Sequence, residues 1–493
     1  MILLALLTIV SAGLLYRLLK SSGIHRHGRR LARPSDTIPL IGNAIRFLQA
    51  HHVQFNWFIK QQQAFGGDTY EISAPWLPAA VVISRPENIE FVLKNESRIP
   101  RGDFFTARTL DLFGYGIINA TGSLARVQRE VALSFFAGEN IDALITTVLP
   151  DVYSSTTRAT LAHHAQTNKP LDLQRTLLDL TTEVISTMVY DSAAISVSSR
   201  FSEALDYASD WIGRRFQKPL YPLTELFTGA KFRAAVEEVK VTGVKILHRA
   251  RKRRAREAFA SLCDNTEPQF DSLIDLLIDT LGSSNPTTLV ADSALNFLYA
   301  ARDTTAHWLS WTVYAVVHDS DALARVLAEI STLPPPEQLQ PADLDASRIP
   351  YTTAVLHEAL RLYPPVPLQI RQCGGDGSNP VTLPDGTSLP PHTLVIWCVW
   401  AINRSTALWG DNAHLFRPAR WLDEDRQQFQ RDNKSAWEFP VFGGGTRGCV
   451  GEPMARVMTA WVLVVVLREF SIEEETVSEN GNGNGNGRIA SSG

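Results

Sequence analysis

Phe442 to Gly451 read FGGGTRGCVG, three successive glycines followed by an arginine, a cysteine and a further glycine. A cysteine carried on side-chain-free, φ-permissive backbone can reach a metal ion at the face of a flat, bulky cofactor. Phe442 can pack on that face and shield the sulfur. Arg447 suits a carboxylate partner, because a guanidinium forks onto two oxygens. The loop's N–H groups, with the N-terminus of a helix expected from about Cys449 through Leu467, would hold the sulfur as thiolate and tune its basicity. A phosphate-binding glycine loop is excluded, since the run lacks a Gly-Lys-Ser/Thr ending. A plain turn around a buried cysteine stays open on this motif alone.

Other segments upstream carry charges or hydroxyls at helical spacing. HEALRLYPP sets Glu358 and Arg361 three apart on one helical face, stopped by Pro364 and Pro365. By itself that is equally a surface ion pair. AARDTTA, Ala300 to Ala306, places an acid, Asp303, beside a hydroxyl, Thr304, among the apolar Leu295, Phe297, Leu298, Trp308, Leu309 and Trp311. In isolation it is also an ordinary solvated helix face. FRPARW adds Arg420.

The decapeptide matches F-x-x-G-x-R-x-C-x-G in full, and with these companions the chain resembles the cytochromes P450 from its N-terminal run to about residue 470. The resemblance implies the cytochrome P450 fold, mainly α with a small β region, in a single catalytic domain. It implies haem b (iron protoporphyrin IX) with Cys449 as the axial thiolate and metal ligand, and Phe442 and Arg447 as cofactor-binding residues. Glu358, Arg361 and Arg420 would form a buried charged triad that serves geometry rather than net stability. AARDTTA is similar to the family's oxygen-activation motif, in which Asp303 and Thr304 are the catalytic pair that delivers protons. Thr304 would bond back to the Ala300 carbonyl and locally open the helix. Arg129 in GSLARVQRE and Arg371 after the Pro-Val-Pro turn are expected on the haem propionates. Two departures stand out. Ala301 replaces the motif's glycine and narrows the oxygen groove, and Ala125 stands where tryptophan is usual, so one propionate contact is expected to be missing. Past Phe470 the chain runs into a fourfold Asn-Gly repeat where the family has a further strand pair whose turn lines the substrate pocket. A pocket lacking that wall is the expectation.

The elements that must position these residues are legible in outline. Helical patterning dominates from about residue 50 to 370, interrupted by a strand at Ala79 to Ser84. A long helix is expected from Asn285-Pro286, an N-cap followed by proline at the first helical position, to about His318. Glycines and prolines between Gly374 and Pro391 mark a small sheet region. The 493 residues, 45% hydrophobic and 20% charged, suit a folded water-soluble body. A net charge of −4 makes a dedicated nucleic-acid binder unsuitable, and His248 to Arg256 (HRARKRRAR) reads as a solvated helical face. Four widely spaced cysteines give neither a disulfide framework nor a zinc site.

Ile2 to Leu19 is apolar apart from Arg17 and is followed by Lys20, Arg26, Arg29, Arg30 and Arg33. It reads as a single-pass anchor with the domain facing the cytoplasm. A cleaved secretory signal is the competing reading, against which stand the missing basic n-region and A-x-A-like site. The organisation expected is an anchor at 1–20, a basic, proline-containing connector at 21–43, a catalytic domain at 44–475 and a low-complexity flexible tail at 476–493. No flavin or nicotinamide fingerprint follows a strand, so the resemblance implies electrons from NADPH-cytochrome P450 reductase at a membrane, that of the endoplasmic reticulum. AARDTTA, LRLYPPVPLQIR and WGDNAHLFRPARW look most like fungal alkane and fatty-acid hydroxylases, a branch that also supplies tailoring enzymes of secondary metabolism. An apolar fatty-acid, alkyl or polyketide-like small molecule is the substrate expected. Two alternatives remain: a reductase-independent haem-thiolate isomerase or dehydratase, and a non-catalytic haem-binding protein.

Overall fold

Apolar residues recur on nearly every side of the segment that carries AARDTTA, which is the signature of a helix buried in a core rather than laid on a surface. In the computed structural model it is a helix, Thr287–Val317, 31 residues long and therefore about 47 Å from end to end. It starts a residue later than expected. Pro286 is the N-cap, and the Asn285 amide turns back to donate to the Leu281 carbonyl at 3.1 Å. The structure describes residues 23–475 and 489–492, apart from 76, 191–198, 219, 261–271, 283–284, 376–379, 424, 426 and 431–433. The expected anchor at 1–20 lies outside the described residues, as do 476–488 of the expected tail. Among the described residues no single helix is long and apolar enough to cross a membrane.

The helices that bear on the site, in chain order, are α1 (Pro86–Lys94), α2 (Gly102–Phe113), α3 (Gly122–Phe135), α4 (Leu173–Tyr190), α5 (Ser199–Arg215), α6 (Tyr221–Thr228), α7 (Ala230–Ala260), α8 (Leu273–Leu281), α9 (Thr287–Val317), α10 (Pro350–Leu362) and α11 (Glu452–Glu469). The long α9 is packed by α4, α7, α8, α10 and α11, so it threads the main hydrophobic core. The basic stretch of α7 is an ion-paired helix face: Arg254 meets Asp279 at 2.7 Å, and Arg253 pairs with Asp275, both acids on α8.

The strands are β1 (His25–Arg26), β2 (Arg29–Arg30), β3 (Tyr70–Ile72), β4 (Ala80–Val82), β5 (Leu368–Gln372), β6 (Val381–Thr382), β7 (Thr387–Leu389), β8 (Leu394–Cys398), β9 (Ser471–Glu474) and β10 (Ile489–Ser492). One sheet has the order β3-β4-β8-β5, with β4 and β8 parallel, and a second has the order β2-β1-β7-β6. Two sequence expectations change here. Residues 24–30 of the expected connector belong to the domain, because Ile24 is fully buried and His25 pairs with Ser388. Arg26 and Arg33 of the basic cluster pair with Asp68 and Glu71. At the other end, Ile489–Ser492, expected within the flexible tail, pair antiparallel with Ser471–Glu474. A strand pair therefore stands where none was expected, and Ser471–Glu474 do not line the cavity described below.

Glu358 and Arg361, on α10, do not form a surface ion pair. Both are fully buried, and the guanidinium forks onto the carboxylate with two bonds of 2.8 Å. Arg420 adds a third at 2.8 Å, so the three residues expected as a triad meet. Trp421 Nε1 and the Arg417 N–H complete the carboxylate's partners at 2.9 and 2.8 Å. Glu358→Ala would leave the Arg361 charge buried without its counter-ion, and loss of one member of such a pair costs about 3–5 kcal/mol. A loss of that size is expected in urea unfolding of the purified protein; a loss under about 1 kcal/mol, the scale of a surface pair, would contradict the structural role.

Candidate functional site

The cysteine loop is shaped by its glycines and by what passes above it. Gly443 and Gly445 adopt φ of 68° and 62°, values that L side chains rarely take. A Cβ on Gly445 would stand 2.6 Å from the Leu93 carbonyl at the end of α1. The glycine run thus lets the loop pass beneath α1, a close approach to protein backbone that the sequence did not reveal. The Cys449 N–H donates to the Phe442 carbonyl at 2.8 Å, and Arg129 Nη1 donates to the Gly448 carbonyl at 2.9 Å. Helix α11 begins at Glu452 rather than at the sulfur. The N–H groups of Gly451 and Glu452 nevertheless bond the sulfur and favour its thiolate form. Against them, enclosure by protein raises the pKa of the thiol, because the accessible face of Cys449 opens into a cavity and not into bulk water.

That cavity contains about 1380 Å³ of empty space, mouth included. Cys449 and Phe442 line it, and so do Ala300, Ala301, Thr304 and Thr305 of α9. Ile117, Phe136, Phe297 and Val366 contribute apolar wall. Phe442 is wedged between Trp308 of α9, ring centroids 6.0 Å apart, and the guanidinium of Arg456 of α11 at 5.1 Å. Thr304 Oγ1 donates to the Ala300 carbonyl at 2.6 Å, the back-bond expected from the motif. Asp303 is not among the lining residues. Consecutive helical residues point about 100° apart, so a hydroxyl can line the cavity while the acid before it turns aside. The Asp303 carboxylate instead accepts from Arg302 Nη1 at 2.8 Å, and Arg302 also reaches Asp206 at 2.6 Å and Thr182 at 2.6 Å. Burial, together with the Asp206 charge, raises the Asp303 pKa above the ordinary carboxylate value although Arg302 opposes the shift.

Three guanidiniums line the same cavity: Arg101, Arg371 and Arg447. Arg447 pairs with Glu96 and also donates to the Ala120 carbonyl. Among the described residues the Arg371 guanidinium donates only to the neighbouring Ile370 carbonyl, at 2.9 Å, and Arg101 Nε is buried without a partner. Burial first, then the Arg371 and Arg447 charges, push Arg101 down to about 9, and burial with Arg447 pushes Arg371 down to about 10. Arg129, grouped with these in the sequence, stands beside the loop at Gly448 and is not part of the lining. Arg101 and Glu96 were not singled out from sequence: an arginine after a proline and a glutamate in a turn carry no spacing that points to a cofactor.

The family model described as Cytochrome P450 matches residues 32–487. The chain belongs to the cytochrome P450 family. Cytochrome P450 94A1 of Vicia sativa is 28% identical over 452 residues, covering 89% of this chain and 84% of that protein. Cytochrome P450 94B1 of Arabidopsis thaliana is 26% identical over 460 residues, covering 90% and 87%. Cytochrome P450 monooxygenase cyp1 of Mycosarcoma maydis is 27% identical over 450 residues, covering 88% and 69%. As a P450, the chain is an oxidoreductase of the kind that incorporates oxygen, and the family implies a haem-thiolate cofactor.

The residues of this P450 fit such a group. A planar macrocycle with two carboxylates needs a sulfur on one side and buried cations at its edge, and the cavity offers Cys449 with three guanidiniums against the single carboxylate of Glu96. The unpartnered Arg101 Nε is the most telling atom, since a buried donor is normally satisfied. Arg101→Gln is expected to act in opposite directions on the two forms of the protein. It removes a desolvated cation and so raises the Tm of the cofactor-free protein. It also removes a charge-assisted bond, so transfer of haem to apomyoglobin should quicken on the order of tenfold. Unchanged haem transfer would exclude Arg101 from the propionate site.

Proposed function

We propose that the protein is a haem-thiolate monooxygenase that oxidises an apolar, alkyl-chain substrate with electrons from a separate NADPH-dependent reductase. The observation that carries the reading is that Cys449 and Thr304 line one cavity with largely apolar walls. Bound haem would supply the reductive activation of dioxygen, with two electrons and two protons carrying one oxygen atom to water and the other entering a C–H bond, chemistry that thiolate donation favours. Cys449 would supply the thiolate that holds the iron, oriented by its own N–H bond to the Phe442 carbonyl and by the N–H groups of Gly451 and Glu452. Arg101, Arg371 and Arg447 hold the propionates, and Phe442 excludes water from the sulfur. Arg129 is a positioning residue that fixes the Gly448 carbonyl.

Thr304 Oγ1 moves or holds the proton on the cavity side of α9. Asp303 lies behind it as the proton store, its raised pKa keeping the acid form accessible nearer neutrality than an ordinary carboxylate. To serve that role Asp303 must turn from Arg302, which keeps Asp206 as its counter-ion meanwhile. The apolar run Ile2 to Leu19 and the basic residues after it support anchoring at a cytoplasm-facing membrane, that of the endoplasmic reticulum, where a membrane-bound reductase would donate. Fatty acids, alkanes and polyketide-like metabolites with an alkyl chain are the substrates that the motif resemblance and the cavity walls suit.

Two outcomes follow. In the reduced carbon monoxide complex, the parent protein should give the long-wavelength Soret band of thiolate ligation, and Cys449→Ser should lose it; a histidine-type spectrum in the parent would end the assignment. Thr304→Ala should keep substrate binding while product formation falls on the order of a hundredfold, the lower end of what a positioned proton donor supplies. Oxygen consumed by this variant should appear as hydrogen peroxide. Turnover of a hydroperoxide without reductase, unaffected by Thr304→Ala, would favour the isomerase or dehydratase reading instead.

A further inference from the structure

Among the described residues five arginines are buried: Arg108, Arg215, Arg302, Arg361 and Arg371. Arg215, Arg302 and Arg361 meet carboxylates, and Arg371 faces the cofactor cavity. Arg108, 8% exposed, does neither: among the described residues no carboxylate lies within 4 Å of it. The two acids of its neighbourhood, Asp111 and Glu225, are both held by Arg215 at 2.7 and 2.6 Å. Arg215 also donates to the Arg108 carbonyl at 2.8 Å, and its charge adds to burial in disfavouring the Arg108 cation. The Arg108 guanidinium stands 3.6 Å from the Phe104 ring centroid, 5.3 Å from Tyr221 and 5.8 Å from Phe216. Its Nη1 donates to the Phe104 carbonyl at 2.8 Å, while Nε is buried with no partner. Aromatic faces stabilise a cation but leave its N–H edge unanswered. A buried fork of donors is the group that a carboxylate satisfies with two parallel bonds.

The position of Arg108 relates it to the cavity. Arg101 is the N-cap of α2, and Arg108 stands on the second turn of the same helix. An aromatic strip joins the two: Arg101 stands over Phe105 at 5.3 Å, Phe105 neighbours Phe216 at 5.7 Å, and Phe216 neighbours Phe104 at 6.2 Å. Above Arg108 lies α6, which buries none of its side chains and exposes Leu223, Leu226 and Phe227. It is held by polar contacts, Tyr221 Oη to the Ala107 carbonyl at 3.2 Å and Trp211 Nε1 to Glu225 at 2.7 Å. A cover with so little buried apolar surface belongs to the low-stability end of a fold and opens locally at small cost.

We propose that Arg108, in its box of Phe104, Phe216 and Tyr221, receives the terminal carboxylate of an alkyl-chain substrate whose other end reaches the cavity at Cys449. The inference rests on the alkyl-chain reading above and deepens it by assigning the head group. Anchoring one end fixes which carbon lies at the reacting position, so oxidation is counted from the carboxylate.

The test uses the full-length, haem-loaded protein and three probes of equal chain length: dodecanoate, methyl dodecanoate and dodecan-1-ol, each titrated by calorimetry and by the haem absorption shift. Dodecanoate should bind the parent more tightly than its ester. Arg108→Gln should weaken dodecanoate about tenfold or more, the scale of a lost charge-assisted bond, while weakening the ester no more than about twofold. Arg108→Lys should retain part of the preference, and products of dodecanoate oxidation should spread over more chain positions in Arg108→Gln. Equal loss for all three probes would mean that Arg108 merely packs α2 against α6. Equal parental affinity for acid and ester would overturn the head-group assignment while leaving the alkyl-chain reading in place, and it decides the matter even if Arg108→Gln fails to fold. Failure of all three probes to bind would remove both.

Discussion

One carboxylate organises the part of this P450 that has least regular structure. Glu358 accepts from five donors: Arg361 Nε and Nη2, Arg420 Nε, Trp421 Nε1 and the Arg417 N–H. The two guanidiniums carry the constraint outward, Arg361 to the carbonyls of Asn403, Ala413 and Leu415, Arg420 to those of Trp409 and Asn412. Residues 403 to 421, mostly short turns, are thereby tied to α10. Trp409, Trp421 and Phe439 then pack in tilted and edge-on contacts at 5.4, 5.9 and 5.1 Å between centroids, bringing the constraint to the turn Pro440–Phe442 that opens the cysteine loop. Desolvation offsets most of the Coulomb attraction in such a knot. What it provides is position, and the sulfur needs position more than the fold needs further stability.

The contrast with the cavity is instructive because both regions carry excess cation. In the knot, Arg361 and Arg420 outnumber Glu358, and backbone carbonyls take up the remaining N–H groups. In the cavity, Arg101, Arg371 and Arg447 outnumber Glu96, and the Arg101 Nε is left over. The knot's guanidiniums are satisfied without a ligand; the Arg101 guanidinium is not. A fold that gathers three guanidiniums around one cavity, against one carboxylate and with a buried donor left over, has its electrostatics set for an anionic guest, and stability forgone by the empty protein becomes affinity on binding.

How much of this could be read from the sequence depended on whether a residue's role was local. FGGGTRGCVG was legible because its function is a backbone shape around one sulfur, and the Glu358–Arg361 pair because i,i+3 spacing is local too. The third partner, Arg420, came only through family resemblance. Asp303 and Thr304 were legible as a pair but not in their orientations, since one-dimensional adjacency conceals the 100° turn between them. Arg101, Glu96, Arg302 and Arg108 were invisible because their meaning lies in what they lack or meet across the fold. Ile489–Ser492 were lost behind the repeat: four residues of modest β propensity carry no signal until Ser471–Glu474 supply an edge for pairing.

Arg302, the residue inside AARDTTA that sequence reading passed over, shows how α9 can serve two surfaces at once. Its fully buried guanidinium binds Thr182 on α4 and Asp206 on α5, so it fastens α9 to two neighbouring helices on the side away from the cavity. Asp303 shares that guanidinium, and Asp206, one-third exposed, has a second partner in Arg175 at 3.5 Å. In the proposed proton route this arrangement solves a specific difficulty. An acid that must leave its counter-ion would ordinarily strand a buried charge, at a cost that forbids the motion. Here Asp206 remains on Arg302 when Asp303 turns, so the motion exchanges one of two ion pairs rather than abolishing the only one. Because Asp206 reaches solvent, the same cluster gives Asp303 a neighbour through which a proton can be restored from outside, while Ala301 and Thr304 keep the cavity face of the helix free of charge.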